Sequence, residues 1–320
     1  MRAVLWLILL VPAAAQQGNI WRHWTVKDGM LESYIRHASR GMNGEIWVRH
    51  GLVGKLSILD GGRLRPFPEP KMSMDDWLAW RSQVWPDGSG GAVTSLNGAV
   101  LRHRGKGQEV DWEVLRAMQS GERLIESIPR PDGSILAVFD SHLELFKAGK
   151  SGWRRVREPH GTRIGPFKSA ISGFSGEIWV LGHNGIGRFA PDGNWEERSS
   201  LSLGITDLDH PMPGPNGELL ATGSLKDGRA TLSWNSRGLE LAVGQIRPDG
   251  YSWRGPEGAI WLYEERNLFL ISGGRKVQLL KRGNLSSDLF GVVTEPNGGF
   301  WLATVDGLVH RMPTRQRWPT

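Results

Sequence analysis

The sequence contains no cysteine. No disulfide can brace it, and zinc ribbons and iron–sulfur centres lose the thiolates they need. Long apolar runs are missing too: past the N-terminus no stretch approaches the roughly 18 consecutive apolar residues of a membrane-spanning helix. Tyrosine is scarce at 3 and phenylalanine modest at 9, yet tryptophan reaches 16, an imbalance that asks for a repeated structural role. With 39% hydrophobic and 22% charged residues, extensive disorder is excluded and a globular chain is expected.

The N-terminus reads as an address. Arg2 supplies a positive charge, residues 3–11 form an apolar run including Leu5, Trp6, Leu7, Ile8, Leu9 and Leu10, and Pro12 breaks it. Ala13-Ala14-Ala15 then offers small residues before Gln16. A charged start, a short apolar core and an A-x-A site predict a secretory signal peptide over residues 1–15. The mature chain, residues 16–320, is therefore expected to be periplasmic or secreted. An exported chain without disulfides needs a sizeable core.

That core is written as a repeat. A glycine turn followed by a short apolar strand recurs as Gly44-Glu45-Ile46-Trp47, Gly90-Gly91-Ala92-Val93, Gly133-Ser134-Ile135-Leu136, Gly176-Glu177-Ile178-Trp179, Gly217-Glu218-Leu219-Leu220, Gly258-Ala259-Ile260-Trp261 and Gly298-Gly299-Phe300-Trp301. Taking 47, 92, 136, 179, 220, 261 and 301 as equivalent positions, the spacings are 45, 44, 43, 41, 41 and 40 residues. Turn chemistry keeps step in Pro86-Asp87-Gly88, Pro131-Asp132-Gly133, Pro215-Asn216-Gly217 and Pro296-Asn297-Gly298. Proline sets the first turn dihedral, Asp or Asn bonds its own backbone, and glycine takes positive φ. Third strands such as Ile186-Gly187-Arg188-Phe189 and fourth strands such as Trp153-Arg154-Arg155-Val156 complete the unit. Seven units of four antiparallel strands predict an all-β, seven-bladed β-propeller, with one short helical turn expected near Trp112 to Met118.

Trp47, Trp179, Trp261 and Trp301 share one position of the second strand, so they are read as packing between blades. Blades two, three and five carry Ala92, Leu136 and Leu220 there and should pack less well or find bulk elsewhere. Trp77, Trp80, Trp85 and Trp253 fall off that register and are better candidates for an exposed aromatic platform. The ring must also be fastened. Residues 20–25 can pair as an outer strand with Leu308-Val309-His310-Arg311 of blade seven, in competition with the tail Gln316-Arg317-Trp318. The first inner strand is expected over residues 33–38.

Two segments carry a family resemblance. Ile20-Trp21-Arg22-His23-Trp24-Thr25-Val26-Lys27-Asp28-Gly29-Met30 resembles the W-x-T-x-x-D-G-L opening of two-component regulator propeller repeats, and Gly44-Glu45-Ile46-Trp47-Val48 resembles their G-x-I-W-I-G-T strand. Gly298-Gly299-Phe300-Trp301-Leu302-Ala303-Thr304-Val305-Asp306-Gly307-Leu308 is the best match. The resemblance spans the mature chain, with departures in blades two, three and five. It implies an extracytoplasmic sensor module of the kind found on hybrid histidine kinases and diguanylate cyclases. No kinase signature occurs up to Thr320, so no kinase activity is expected of this chain.

Linear catalytic motifs are missing. The 9 histidines form no H-E-x-x-H or H-x-H pair, Gly182-His183-Asn184-Gly185-Ile186-Gly187 lacks the order of a phosphate loop, and Ser199-Ser200 has no nucleophile elbow around it. Neither metal nor cofactor is expected. Ligand-binding candidates are the loops between second and third strands: His50, Asn97, Asp140, His183, Asp227, Arg266 and Asp306, each of which reads equally as an ordinary turn residue. The net charge of +6 comes from 29 Arg and 10 Lys spread over all blades, with no stripe that would mark a nucleic-acid partner. The expectation is a non-catalytic module for a small molecule, glycan or protein, with a membrane-bound signalling protein among the partners it would serve. A secreted propeller enzyme resembling streptogramin lyases is the alternative.

Overall fold

Seven four-stranded antiparallel sheets form, six from one sequence repeat each and the seventh from the last repeat together with an N-terminal strand. In this computed structural model the described residues run from 21 to 312, without 42, 54, 67–83, 88–90, 97–98, 105–111, 148–151, 158–161, 174, 215–216, 243–249 and 285–287. The leader read at residues 1–15, the tail Gln316-Arg317-Trp318, and Trp77, Trp80 and Asn97 lie outside them. The architecture is a seven-bladed β-propeller, and no α-helix occurs among the described residues.

Blade one shows the pattern: an inner strand Ile35–Arg40, a second Ile46–His50, a third Leu56–Asp60 and an outer strand Arg63–Pro66. The other inner strands are Val84–Pro86, Leu124–Pro129, Phe167–Ser172, Thr206–Pro213, Tyr251–Arg254 and Leu289–Thr294. Each touches the inner strand of the next blade, so together they ring a central channel. The first strand begins two residues later than the expected 33–38, because the first ladder pair is Ile35 with His50. Trp21–Trp24 closes the ring, pairing Trp21 with Arg311 and Trp24 with Leu308. Thr25 then caps a one-turn 3₁₀ helix, Val26–Asp28, in a capping box with Asp28 that turns the chain inward.

Cores sit between blades rather than within them. One apolar cluster fills each of the seven interfaces, and the alternation of the second strand decides which residue goes where. Its first residue faces the preceding blade: Ile46 packs with Trp301, Ala92 with Trp47, and Phe300 with Trp261. The next residue faces the following blade. Trp47, Trp179, Trp261 and Trp301 fill four of those interfaces at 7% exposure or less.

Blade two corrects the sequence reading. The position equivalent to Trp47 is Val93, not Ala92, since the turn closes from Asp87 N–H to the Gly91 carbonyl and the strand therefore starts at Ala92. Ala92 lies with Trp47 in the interface to blade one, and Val93 lies in the interface to blade three. The bulk missing there comes from Phe139, Phe146 and Trp153, as Phe167, Phe189 and Trp195 supply it around Leu136. The helical turn expected near Trp112 is also overturned. Trp112–Ala117 is the outer strand of blade two, paired from His103–Trp112 to Ala99–Ala117, with Trp112 packed on Trp47.

A carboxylate beneath the indole accounts for much of the turn conservation between blades. Trp47 Nε1 donates to Glu45 Oε1 at 3.1 Å, and Trp179 Nε1 to Glu177 Oε1 at 3.3 Å. The glutamate fits because Gly41 and Gly173 stand opposite, where a Cβ would come within 2.0 Å of it. Blade seven reverses the pair. Glu295 occupies the place of Gly41 and Gly299 that of Glu45, and Trp301 Nε1 donates to Glu295 Oε1 at 2.7 Å. Two sequence arrangements deliver one carboxylate to one spot.

Candidate functional site

Antiparallel order fixes which turns share an end of the channel. The turns between second and third strands lie at the same end as the starts of the inner strands; this end is called the upper mouth. At the opposite end Arg254 of blade six crosses to the Ser172 carbonyl of blade four, Nη2 to O at 3.0 Å.

The loop residues singled out in the sequence scatter around this mouth. His50 is fully buried, with Nδ1 3.2 Å from the Glu32 carbonyl and Nε2 2.8 Å from Ser57 Oγ, so its ring is spent on structure. Burial holds its pKa down at about 4. Asp140 ties blades through its backbone, its N–H donating to Arg123 and its carbonyl accepting from Phe167. Asp227 is exposed in a turn, and the Asp306 N–H donates to Thr304 Oγ1. Arg266 pairs with Asp288 at 3.5 Å across blades six and seven. His183 approaches Asp207 at 3.6 Å, where Lys168 also bonds. Of the platform candidates, Trp85 is part-buried and donates to Glu126, while Trp253 lies beside Tyr251 with rings 6.3 Å apart and nearly parallel.

What the sequence reading missed is the inner strand of blade five. Its register slips twice, between Thr206 and Asp209 and again between Asp209 and Met212. Asp207 at φ 53° and His210 at φ 51° are left-handed, alone among described non-glycine residues inside strands. Such backbone costs on the order of 1–3 kcal/mol per residue and gathers where a side chain must be aimed. The signal available was Asp209-His210-Pro211-Met212-Pro213: two prolines in an inner strand forbid a regular ladder.

The bulges bring charge and rings together. Asp207 is held below the usual carboxylate range by the Lys168 hydrogen bond and charge, with His183 and Arg229 adding to it. His210 Nδ1 lies 3.3 Å from Asp209 Oδ2, and its ring meets Tyr251 edge-on at 5.3 Å. Burial raises the Tyr251 phenol, Asp209 and Asp288 push the same way, and Arg36 and Arg229 oppose them. Groups from blades one, five, six and seven thus act on one space. On the inner strand of blade seven Phe290 packs with Tyr34 at 5.2 Å and lies under the Arg36 guanidinium at 5.2 Å.

A second cluster, away from the channel, has the composition of a metal site: Glu122, His142 and Glu144, their ligand atoms within 4.8 Å of one another. Arg116 bridges the two carboxylates instead, at 2.7 Å to Glu122 and 3.0 Å to Glu144. Burial alone would raise Glu122; hydrogen bonds from Arg116 and the Gln119 N–H outweigh it and hold the pKa low. The cluster is an ion network joining blades two and three.

No family model matches the sequence, and no curated protein matches it. Solved structures do. Streptogramin B lyase superposes with a TM-score of 0.63 at 16% identity, over 91% of this chain and 96% of that one. YCF48 bound to D1 peptide gives 0.64 at 16%, over 92% and 97%. The extracellular domain of the hybrid two component system BT3049 from B. thetaiotaomicron gives 0.65 at 10%, over 91% of this chain and 41% of that one. At these identities the likeness shows the fold alone. Sensor domains of two-component regulators are among the structures that share it. No helix among the described residues is long and apolar enough to cross a membrane.

Proposed function

We propose that the chain is an exported, non-catalytic binding propeller that takes its ligand at the upper mouth, between blades five, six and seven, and serves sensing. The observation that carries the reading is the inner strand of blade five, where Asp207 and His210 are left-handed, Asp207 meets Lys168 and His183, and His210 meets the Tyr251 ring edge-on at 5.3 Å. Structural likeness to an extracellular two-component domain and to a peptide-bound propeller supports a recognition role, and the signal-like N-terminus supports export.

The test is a thermal-shift screen of residues 16–320 against sugars, peptides and anions. A ligand that binds only the folded state raises the midpoint with concentration. Asp209→Ala and His210→Ala should abolish that rise while leaving the ligand-free midpoint near wild type.

One observation favours a second reading. Asp209 lies against His210 Nδ1, the arrangement that orients an imidazole for general-base work. If the screen shows no binder but a compound is consumed, and His210→Ala stops the consumption, the chain is an enzyme.

A further inference from the structure

We propose that the lower end of blades six, seven and one docks on an anionic lipid surface, leaving the upper mouth turned away from it. Strand order puts the outer hairpins of these three neighbouring blades at that end. Two of them share one tip. Asp60-Gly61-Gly62-Arg63 in blade one and Ser272-Gly273-Gly274-Arg275 in blade six each join the third strand to the outer strand. All four glycines have positive φ, 53° and 78° in blade one, 54° and 74° in blade six. That is a tight two-residue hairpin turn, which sets the arginine at the very end of its sheet. A Cβ on any of the four would meet nothing within 4 Å, so both tips stand clear of the body. Gly-Gly-Arg occurs at these two places alone in the sequence. Between the two tips lies blade seven, whose closing strand starts at Trp21 beside Arg311.

Charge sets this sector apart from the rest of the lower rim. Arg22, Arg63, Arg65, Arg254, Arg275 and Lys276 are exposed in the lower half of the three blades. The exposed acids among the described residues there are Asp60, 3.8 Å from Arg65, and Glu257. Glu45 and Glu295 are taken up beneath Trp47 and Trp301. Lys276 leans back to Glu264 at 2.8 Å and Arg254 reaches Ser172, so the tip arginines lead. Around blades two to five, exposed Asp132, Asp192 and Glu196 offset the cations, and Arg104 and Arg237 pair with Glu113 and Glu240.

The placement favours a membrane over other polyanions. A nucleic acid would want a basic stripe interleaved with stacking rings, whereas here two tips flank a strand and present charge to a plane. Half-buried Trp21 and Met312, 43% exposed, add interfacial apolar surface at the same end. Five residues, 16–20, separate Trp21 from the expected leader, so export would deliver this end to the bilayer. Docking here is independent of what the mouth binds.

The experiment is cosedimentation of residues 16–320 with vesicles of phosphatidylcholine alone and of phosphatidylglycerol mixed with phosphatidylcholine. It is run at about 20 mM and about 300 mM salt, between which the screening length falls from about 20 Å to about 6 Å. Binding is expected on the anionic vesicles at low salt, and about tenfold weaker or less on neutral vesicles and at high salt. Arg63→Gln and Arg275→Gln should each weaken it about fivefold, the increment for one cation at an anionic surface, and the double variant about 25-fold. Lys27→Gln and Lys281→Gln remove exposed cations from the upper end of the same sector and should change it by less than about twofold. Unchanged thermal midpoints and circular dichroism establish that the variants are folded. Equal binding to neutral vesicles, equal losses from the upper-end variants, or no vesicle binding at all would each overturn the proposal. Retention on heparin without vesicle binding would overturn it too, and would mark the partner as a polyanionic polymer.

Discussion

Acid is expected to loosen the ring from blade one. His37 and His50 both lie there, and both are held at a pKa of about 4, below the ordinary 6.5, chiefly by burial. The His37 Nε2 sits 3.2 Å from the Val84 carbonyl of blade two, and the charges of Arg49, itself fully buried, and Arg36 lower its pKa further. Protonating either ring puts a charge into a site where hydration is poor, fully buried at His50 and half-buried at His37. Below about pH 6.5 the unfolded chain takes up these protons and the folded chain does not, so stability falls as the pH drops and levels off near pH 4. At roughly 1.4 kcal/mol per pK unit, each histidine removes about 2 kcal/mol between pH 7.5 and pH 5, and the pair about 4 kcal/mol. That is a large part of the roughly 5–15 kcal/mol that stabilises an ordinary domain. Asp207, Glu122 and Asp132 have lowered pKa values and titrate below this window, which keeps the signal with histidine. The assay is urea unfolding followed by tryptophan fluorescence at pH 7.5, 6.5, 5.5 and 5.0. His50→Gln should lower stability at neutral pH yet flatten the slope clearly, with His37 and His103, whose pKa burial also lowers, carrying the remainder. Flat stability across the series, or a full slope in His50→Gln, would refute the reasoning.

The reversed carboxylate of blade seven gives a coupled pair. Gly299→Glu alone drives a second carboxylate onto Glu295, whose Oε2 is 2.3 Å from where a Cβ would stand, and Glu295→Gly alone strips Trp301 and His310 of their acceptor. Each should cost about 1–3 kcal/mol, while the double exchange, which rebuilds blade one's arrangement, should recover at least about 1 kcal/mol in a double-mutant cycle of urea midpoints. Trp261→Ala, at 0% exposure between blades six and seven, should cost about 3–5 kcal/mol by the same measurement. Removing residues up to 25 should bare the edge of Leu308–Arg311 and yield aggregate in size-exclusion chromatography. Removing residues 316–320 should leave the elution and the melting midpoint unchanged.

The sequence was informative about architecture for the same reason that it was silent about the ligand. Each blade needs a tight turn, a carboxylate under an indole and a residue for either neighbour, and these needs are local, so they recur every 40–45 residues and can be counted. Even the slip at Ala92 and Val93 is a failure of counting within a turn, since Gly90 and Gly91 offer two equivalent glycines and only the Asp87–Gly91 bond chooses between them. Trp112 misled differently. Its stretch lacks strand alternation because an outer strand packs on one edge and bulges at Leu115, opposite Val100 and Leu101, a tertiary effect that local pattern does not carry.

The mouth is assembled on another principle. Arg36, Asp207, His210, Arg229, Tyr251 and Phe290 come from blades one, five, six and seven, each a single departure from its own repeat, and no spacing relates them. Reasoning from the regular hairpins placed the candidates at the rim, where His50 proved to be core and Asp140 a backbone tie. The useful signal was the place where the pattern breaks: two prolines and two aspartates in the one strand that should have been most regular. In a molecule built from repeats, an inner strand that cannot form its ladder yet is retained between two well-packed neighbours is where binding chemistry is to be sought, and blade five is the blade that meets that description.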